Sequence, residues 1–507
     1  MATPALSLTP TDSYDRQLIS NVHPSDWRNP EPAARYNLVV IGAGTAGLVS
    51  AAAATGLGAK VALIERELMG GDCLNVGCVP SKALIRSARA LGDVRDSGDY
   101  GVAVPTGAGV DFTATMERMR RLRAELSAKD SAIRYRGLGV DVFVGEGRFS
   151  GADSIDVGGK TLRFGRAVIA TGSRASAPSI PGLSEAGFLT NETIFSLTAL
   201  PKRLVVIGAG PLGCELAQAF RRFGADVALL EAESGILPRE DREAAEIVRR
   251  ALVHDRIDIV EGCKIVHIAA NGAEKIVNLE CGGASREIAC DEILVGAGRT
   301  PNVDGLNLEA AGVEHDRRTG VKVNDHLRTS NPRIFAAGDI CTVYKFTHMS
   351  DAMARIVIRN ALFLGRERVS ALTLPWCTYT DPEIAHVGLY EHEARARGIP
   401  VKTFMQALSD VDRAVLDGET DGFVKVHVRE GSDEIVGATV VASHAGEMIS
   451  ELTLAMVGKL GLSTISRTIH PYPTQAEAIH KVADAYNRSR LTPRVSWLLR
   501  KWLAWRR

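Results

Sequence analysis

The chain has 507 residues, of which 45% are apolar, and its 60 basic side chains are balanced by 60 acidic ones. A chain of this length predicts about three domains, and the apolar fraction is sufficient to build a core in each of them. Because the formal charges cancel, the composition gives no basic excess that would attract nucleic acid. We therefore expect a soluble, cytosolic, multidomain enzyme.

The N-terminal segment differs in composition from the segment that follows it. Residues 1–36 are rich in Pro and Asp and lack the basic start and apolar centre of a secretory signal. They predict an arm that lies over the surface. The stretch from Leu38 to Ala59 carries no charge over 22 residues and so has the length of a membrane span. Its glycine density and the motif within it favour a strand, a tight turn and a helix instead.

One sequence pattern occurs twice, as NLVVIGAGTAGLVSAAAATGLGAKVALIE from Asn37 and as RLVVIGAGPLGCELAQAFRRFGADVALLE from Arg203. Each copy predicts an apolar strand, a Gly-x-Gly-x-x-Gly turn, a helix and a second strand that ends in glutamate. This is the pattern of a dinucleotide-binding βαβ unit, in which the glycines admit the pyrophosphate and the carboxylate bonds to the ribose. Two copies predict two bound nucleotides. The residues in these roles are Gly42, Gly44, Gly47 and Glu65 in the first copy, and Gly208, Gly210, Gly213 and Glu231 in the second.

A cysteine motif, GGDCLNVGCVPSK, follows the first repeat directly and places Cys73 and Cys78 five positions apart. Pro80 and the run SKALIRSARAL predict a helix that begins near the cysteines, and the positive end of that helix would favour a thiolate. This arrangement favours a redox-active disulfide beside a flavin. Because the motif follows the first nucleotide fold, we expect the first nucleotide to be FAD and the second to be NADH or NADPH.

The choice between the two coenzymes depends on the end of the second repeat. Glu231 favours NADH, because a carboxylate holds a ribose diol but repels a 2′-phosphate. The basic residues Arg221, Arg222 and Arg239 could supply compensating charge for NADPH.

The remaining six cysteines have separations that fit neither a secreted disulfide framework nor a zinc site. We expect them to be mostly buried thiols, and we expect no metal-binding site. These cysteines are Cys214, Cys263, Cys281, Cys290, Cys341 and Cys377.

With these motifs the chain resembles the pyridine nucleotide-disulfide oxidoreductases, the family of glutathione reductase, dihydrolipoamide dehydrogenase and mercuric reductase, over about Asn37 to Arg490. The resemblance implies that Gly338 and Asp339 contact the ribityl chain of the flavin, although Asp339 as a simple turn residue is the alternative. Further matching segments are Ala170, Thr171 and Gly172, then VGAGRTPN from Val295, which includes Gly298, and RIFAAGDI from Arg333.

Within the family, the cysteine motif and the run ELAQAF are most similar to mercuric reductase and to its FAD-containing relatives. Two features of mercuric reductase are missing from this sequence: an N-terminal metal-binding Cys-x-x-Cys domain and a vicinal cysteine pair near the C-terminus, where the sequence reads KWLAWRR. We therefore do not expect mercury to be handled as it is in that enzyme.

The resemblance implies a path in which electrons pass from the nicotinamide to the flavin and then to the disulfide. By this analogy Cys78 is the thiol nearest the flavin and Cys73 is the outward nucleophile. Lys82, one helical turn after Cys78, pairs with Glu215 near the reactive nitrogen of the flavin; a solvated helix face is the alternative for Lys82. Pro211 stands where glutathione reductase has a tyrosine over the nicotinamide pocket, so we expect no such gate.

The segment HPYPTQAE, which ends at Glu477, departs from the His-Pro-Thr pattern of the disulfide-reducing members. Aligning Pro473, Thr474 and Glu477 places Tyr472 where those members have the histidine that the partner subunit supplies, and His470 lies two residues earlier. A tyrosine with an ordinary pKa of about 10 is a poor base at neutral pH but a usable proton donor or metal ligand. In the alternative interpretation Tyr472 is a packing residue and His470 a capped loop residue.

The last 20 residues, 488–507, contain seven basic residues, no acidic residue and three tryptophans. Such a segment predicts either a basic helix on an anionic membrane surface or a helix docked on the enzyme itself. The basic residues are Arg488, Arg490, Arg494, Arg500, Lys501, Arg506 and Arg507.

The predicted fold class is α/β, with two Rossmann-like domains for FAD and NAD(P) and a C-terminal α+β domain that forms a homodimer. The FAD domain is split into 37–190 and 297–369, the coenzyme domain is 191–296 and the interface domain is 370–487. Three functions fit the sequence: a reductase of a thiophilic metal ion or small electrophile, dihydrolipoamide dehydrogenase or another dithiol enzyme, and a membrane-docked redox sensor.

Overall fold

A computed structural model describes residues 9–105, 107–272 and 274–507. These residues form two compact units. The first holds the chain up to Ala209, with Ala219–Ala232 and Cys263–Leu372, and the second holds Gly210–Gln218, Glu233–Gly262 and Thr373–Arg507.

The secondary structure alternates strands and helices through the first unit and pairs a sheet with helices in the second. The helices of the described residues are α1 (Ser13–Val22), α2 (Thr45–Gly56), α3 (Gly71–Asn75), α4 (Cys78–Asp96), α5 (Phe112–Ser127), α6 (Ala132–Gly137), α7 (Leu183–Ala186), α8 (Pro211–Phe223), α9 (Arg242–His254), α10 (Thr347–Leu362), α11 (Glu391–Ala396), α12 (Asp412–Leu416), α13 (Ala445–Val457), α14 (Leu462–Ile465), α15 (Glu477–Ser489) and α16 (Pro493–Trp505). The strands are β1 (Tyr36–Ile41), β2 (Val61–Glu65), β3 (Asp141–Val144), β4 (Arg148–Gly151), β5 (Ser154–Val157), β6 (Lys160–Ile169), β7 (Ser173–Ala175), β8 (Arg203–Ile207), β9 (Asp226–Glu231), β10 (Asp258–Glu261), β11 (Cys263–Asn271), β12 (Glu274–Cys281), β13 (Ala284–Cys290), β14 (Glu292–Val295), β15 (Arg299–Pro301), β16 (His315–Asp316), β17 (Gly320–Val321), β18 (Ile334–Ala336), β19 (Pro375–Thr378), β20 (Glu383–Gly388), β21 (Val401–Ala407), β22 (Phe423–Arg429) and β23 (Ile435–Ala442).

The first unit is built on a sheet with the strand order β3-β2-β1-β6-β5-β4, to which β18 adds beside β6. β1 runs parallel to both β2 and β6, and β18 runs parallel to β6. Strands that are covered on both faces need continuous apolar sequence, and the side chains of Leu38, Val39 and Val40 are indeed 0% exposed. The uncharged stretch from Leu38 to Ala59 is thus accounted for by β1, the glycine turn and α2.

The second repeat forms the same local structure. β8 is parallel to β9 and to β14, and the second glycine turn joins β8 to α8. Both predicted strand-turn-helix-strand units are therefore confirmed. Among residues 9–105, 107–272 and 274–507, no helix has both the length and the apolar character needed to cross a membrane.

The second unit contains an antiparallel sheet with the order β19-β20-β23-β22-β21. Val424 of β22, Val440 of β23 and Leu452 of α13 are each 0% exposed and belong to its core. α15 contributes Val482 to the same core. The predicted mixed α/β class, with an α+β region toward the C-terminus, is confirmed.

A disulfide joins Cys263 to Cys281, with a Cα–Cα distance of 4.5 Å. The prediction of buried thiols was wrong for these two, because the hairpin of β11 and β12 places them directly opposite each other, and spacing along the chain does not show strand register. Of the other four, Cys214 and Cys290 are buried thiols and Cys341 and Cys377 are half-buried.

Residues 9–36 of the N-terminal segment are more than an arm over the surface, which corrects the prediction for them; residues 1–8 of the predicted arm lie outside the described residues. In α1, Leu18 and Val22 are 0% exposed. Asp15 pairs with Arg123 of α5 at 2.9 Å, and the side chains are 1% and 3% exposed. Arg123 also donates a hydrogen bond of 2.9 Å to the carbonyl oxygen of Asn75, which lies between the two motif cysteines. The sequence hides this pair because its members are 108 positions apart.

Candidate active site

The first glycine turn is closed around backbone atoms, so that only glycine fits. Gly42 has φ +97°, and a Cβ there would collide with the carbonyl oxygen of Ala170. A Cβ on Gly47 would collide with the carbonyl oxygen of Gly42. Gly44 is the N-cap residue of α2 and supplies no capping side chain, which leaves the first amides of the helix directed at the turn. This cradle fits the pyrophosphate of a dinucleotide.

The two repeat glutamates bind the turns of their own repeats. Glu65 accepts hydrogen bonds from the amides of Ala43, at 2.7 Å, and Glu67, at 2.8 Å. Glu231 accepts one from the amide of Ala209 at 2.8 Å. Burial raises the pKa of Glu65. Each carboxylate therefore stands at the end of its second strand and beside the glycine turn, where a ribose would lie in a bound dinucleotide.

In the second glycine turn, Gly208 has φ +99°, and a Cβ there would lie 3.3 Å from Cβ of Ala297. Gly210 has open space around it, and Gly213 follows in the first turn of α8. This open space fits the predicted close approach of a coenzyme.

The three arginines that could supply positive charge for NADPH differ in whether they already contact other parts of the protein. Arg221 donates to Asp226 at 3.0 Å and to the carbonyl oxygen of Ala225 at 2.8 Å. The guanidinium of Arg222 lies next to Gly92 of α4, so close that a Cβ on that glycine would be 3.0 Å from Nη1 of the arginine. Arg239 is exposed. Two of the three candidate compensating charges thus already have protein partners.

The cysteine motif packs directly against the first glycine turn. α3 carries Cys73, and α4 begins at Cys78, which confirms the predicted helix start. Gly71 has φ +57°, and a Cβ there would lie 2.7 Å from Cα of Gly44. The close approach of two glycine backbones therefore fixes the cysteine motif beside the turn.

Cys73 and Cys78 are thiols in this structure; Cys73 is half-buried and Cys78 is exposed. A hydrogen bond with Cys78, and secondly burial, raise the pKa of the Cys73 thiol. Thr347, the first residue of α10, places its hydroxyl oxygen 3.5 Å from Sγ of Cys78. Sequence reasoning missed Thr347, which is 269 residues from Cys78.

A belt of polar contacts links the cysteine motif to Asp339. The hydroxyl of Ser173 donates to Asp339 at 2.7 Å, and Nε of Arg299 lies 3.6 Å from the same carboxylate. Arg299 also donates to Asp72 in the cysteine motif, and burial raises the pKa of Asp72. Arg299 was not predicted as a site residue, although it follows Gly298 in a segment that the sequence singled out.

The other predicted flavin-side residues form tight backbone turns in the first unit. The Thr171 hydroxyl donates to the carbonyl oxygen of Asn302 at 2.9 Å, and the side-chain amide of Asn302 donates to the Thr171 carbonyl oxygen at 2.9 Å. Gly172, Gly298 and Gly338 have φ of +66°, +97° and +83°. A positive φ is a conformation that suits glycine, which explains these residue types.

The predicted pair of Lys82 and Glu215 spans the two units. Lys82 is half-buried in α4, one turn after Cys78. Glu215 is 5% exposed and accepts a hydrogen bond of 2.8 Å from the amide of Tyr379. Their pairing stays a prediction.

The predicted acid-base segment places its tyrosine and histidine in different surroundings. Tyr472 is 69% exposed, and its hydroxyl donates to Asp412 at 2.8 Å, which raises the pKa of Tyr472. The side chain of His470 is 8% exposed. One ring nitrogen of His470 lies 3.0 Å from Glu451 and the other 3.1 Å from the carbonyl oxygen of Thr468. The histidine is thus held within its own subunit.

Glu477 is the first residue of α15 and lies 3.5 Å from Lys481 through Oε1. Its other oxygen, Oε2, is buried and makes no hydrogen bond within the described part of the chain. Glu477 thus offers a buried carboxylate oxygen five positions after Tyr472.

Two glycine turns with carboxylates beside them, and a thiol pair at a helix start, define an oxidoreductase that uses a flavin and a pyridine nucleotide. The sequence matches the family model of pyridine nucleotide-disulphide oxidoreductases over residues 36–354 and the dimerisation domain of that family over 374–483. The chain belongs to this family, and its cofactors are FAD and NAD(P)H.

Several known proteins are similar over most of the chain. A mercuric reductase of Lysinibacillus sphaericus is 34% identical over 453 residues, which cover 89% of this chain and 83% of that protein. A dihydrolipoyl dehydrogenase of Thermus scotoductus is 34% identical over 463 residues, covering 89% and 98%. The solved structure of the HOCl-induced flavoprotein disulfide reductase RclA from Escherichia coli has a TM-score of 0.79 and 27% identity, with coverage of 89% and 99%. A Cu(II) complex of RclA matches equally well, with a TM-score of 0.79 and 27% identity over 88% and 99%.

Proposed function

We propose that this oxidoreductase takes electrons from NAD(P)H and delivers them through Cys73 and Cys78 to a thiophilic metal ion or small electrophile. When bound, FAD accepts a hydride from the nicotinamide and supplies electrons to the cysteine pair. The observation that carries the choice of acceptor is Tyr472. Reduction of a disulfide substrate needs a group that gives a proton to the leaving thiolate and takes it back, and the bond to Asp412 makes this phenol hold its proton more firmly.

Reduction of a metal ion does not need a proton donor of this kind, because no thiolate leaves in the reaction. Two thiols make a soft site that favours ions such as Hg(II) and Cu(II). The similar proteins support this class of acceptor, since they include mercuric reductases and the Cu(II) complex of RclA. The two electrons of one coenzyme molecule would reduce one Hg(II) ion or two Cu(II) ions.

The proposed roles of the two cysteines differ. Cys78 is the thiol nearest the flavin and Cys73 is the nucleophile that meets the acceptor. This division rests on the resemblance to the family. Lys82, through its predicted contact with Glu215, would hold positive charge near the reactive nitrogen of the flavin.

Absorbance spectroscopy tests these roles. The purified protein should be yellow, and two-electron reduction should produce a long-wavelength charge-transfer band between thiolate and flavin. Cys73→Ser should keep the band and Cys78→Ser should abolish it. The opposite pattern would reverse the two roles.

The matched dimerisation domain supports a homodimer. We place Tyr472 of the partner subunit beside the cysteine pair, so that each active site needs both chains. Exposed apolar side chains in the same unit suit such a contact, since a large apolar surface marks an interaction site. They are Leu416 (69%), Leu454 (68%), Val457 (62%) and Ile469 (95%).

The domain boundaries remain part of the proposal. Residues 37–190 and 297–369 would bind FAD, 191–296 would bind the coenzyme, and 370–487 would form the dimer contact. We place the enzyme in the cytoplasm. Because Pro211 stands where glutathione reductase has a tyrosine, we also propose that no tyrosine gate covers the nicotinamide pocket.

Steady-state turnover on Hg(II), Cu(II), lipoamide and glutathione disulfide tests the choice of acceptor. We expect the metal ions to be reduced faster than either disulfide. Tyr472→His should raise disulfide turnover by roughly 10²–10⁴-fold, the range for a positioned acid-base group, because Glu477 has a buried oxygen ready to orient the imidazole. Tyr472→Phe is the control and should give no such gain.

The second candidate is a dithiol enzyme, which the similarity to dihydrolipoyl dehydrogenases favours. Fast lipoamide turnover by the unmodified protein would establish it and would contradict the proposed metal-ion or electrophile reductase. A membrane-docked redox sensor is the third candidate. The basic tail, residues 488–507, would favour this function only if membrane binding differs between the oxidised and the reduced cysteine pair.

A further inference from the structure

The C-terminal helix α16 forms from signals within its own sequence. Thr492 is its N-cap, with a hydroxyl that accepts a hydrogen bond of 3.4 Å from the amide of Val495, and Pro493 occupies the first turn. Both are typical helix-start residues. No residue of α16 is buried in the described structure. The helix is thus not held in place by the core of the second unit.

One side of α16 is apolar. Residues at spacings of three, four and seven positions share a face of a helix, and this spacing relates Val495 to Leu498, Leu499 and Trp502. Trp505 extends the same face by three more positions. The exposed fractions are large for such side chains, at 59% for Leu498, 53% for Trp502 and 76% for Trp505.

The rest of the tail is positively charged. Residues 488–507 hold seven basic side chains and no acidic one, and within the described residues none of the seven forms an ion pair. Lys501 lies 4.1 Å from the ring of Trp497. Arg506 lies 5.7 Å from the ring of Trp502.

We propose that α16 lies in the plane of an anionic phospholipid membrane, with the face of Val495, Leu498 and Trp502 in the acyl region and the basic side chains at the headgroups. A helix with an apolar, tryptophan-bearing face and a cationic face is suited to that boundary. The charge complementarity selects acidic lipids. Nucleic acid would use the charge but leave the apolar face uncovered, and α16 is too short to span a bilayer. This docking goes beyond the proposed reductase activity and does not depend on it.

The test is sedimentation of the FAD-loaded homodimer with vesicles of phosphatidylcholine, with and without phosphatidylglycerol. Binding should require phosphatidylglycerol and fall steeply with added salt. Removal of residues 491–507 should abolish it. Arg500→Gln with Lys501→Gln should weaken it by roughly thirtyfold, since two headgroup charges are lost.

A matched pair of substitutions tests the orientation of the helix. Trp502→Ser changes the apolar face and should weaken vesicle binding on the order of tenfold, whereas Trp497→Ser changes the opposite side and should weaken it by less than about threefold. Turnover with a soluble acceptor should stay unchanged in every tail variant, because the tail is outside the catalytic machinery. That control separates failure of the docking proposal from failure of the proposed function.

Several results would overturn the proposal. Equal binding to vesicles with and without phosphatidylglycerol would remove the charge argument, and equal effects of the two tryptophan substitutions would remove the oriented helix. Binding to duplex DNA without binding to vesicles would assign the tail to nucleic acid. Dissociation of the homodimer on tail removal, without vesicle binding, would assign the apolar face to a second copy of the chain.

Discussion

Substitution of Asp15 by Asn tests how firmly α1 is held to the first unit. The change keeps the size of the side chain but removes the charge that faces Arg123 at 2.9 Å, where the two side chains are 1% and 3% exposed. Loss of one partner of a buried pair typically costs about 3–5 kcal/mol, because the other charge stays buried and uncompensated. Oδ2 of Asp15 and Nε of Arg123 make no hydrogen bond within the described residues. We therefore expect the lower end of the range, about 3 kcal/mol.

Hydrogen–deuterium exchange of the α1 amides measures this loss locally, and about 3 kcal/mol corresponds to exchange that is faster by roughly 150-fold. Adding Arg123→Met to Asp15→Asn should recover most of the protection, since no buried charge then remains. Glu125→Gln is the matched control. Glu125 pairs with Arg121 on the same helix, α5, but the side chains are 53% and 43% exposed. The loss of stability should therefore be below about 1 kcal/mol. A loss below about 1 kcal/mol in Asp15→Asn, or no recovery in the double variant, would refute the reasoning.

Three further predictions concern the coenzyme, the thiols and pH. The unmodified enzyme should have the higher kcat/KM for NADH, and Glu231→Ala should narrow the difference; a clear NADPH preference before substitution would contradict the role of that carboxylate. Thr347→Val should raise the pKa of the Cys73 thiol further, because the Thr347 hydroxyl lowers that pKa. Alkylation of Cys73 in the reduced protein should then slow by roughly fivefold, about 1 kcal/mol for one hydrogen bond, whereas Thr347→Ser should leave that rate unchanged. Burial lowers the pKa of His386 to about 3 in the folded protein, whereas the unfolded chain has an ordinary histidine pKa of about 6.5. Between these two pH values only the unfolded state binds the proton. The free energy of unfolding should therefore decrease by up to about 1.4 kcal/mol for each unit by which the pH is lowered. The thermal midpoint of His386→Gln should drop less between neutral and acidic pH than that of the unmodified protein, and an equal drop would argue against this histidine.

The sequence predicted what depends on local pattern. Both glycine turns, their glutamates and the helix that starts at Cys78 follow from residue types at short spacing, and the structure has them where they were expected. The contacts that it did not predict join residues far apart in the chain. Arg299 reaches Asp72 across 227 positions, and nothing in the spacing of either residue indicates the other. The disulfide of Cys263 was missed for a related reason, since its partner is set by hairpin register.

The close approach of Gly44 and Gly71 also bears on how the active site can diversify. Because these two backbones touch with no side chain between them, the step from the nucleotide turn to the first cysteine is built from main-chain atoms alone. Substitution elsewhere can reshape the surroundings of the acceptor without lengthening that step. Gly71 cannot change by itself, because any Cβ there would displace the turn. If the cysteines receive electrons as proposed, changes that alter the choice of acceptor can therefore leave the route to the cysteines intact.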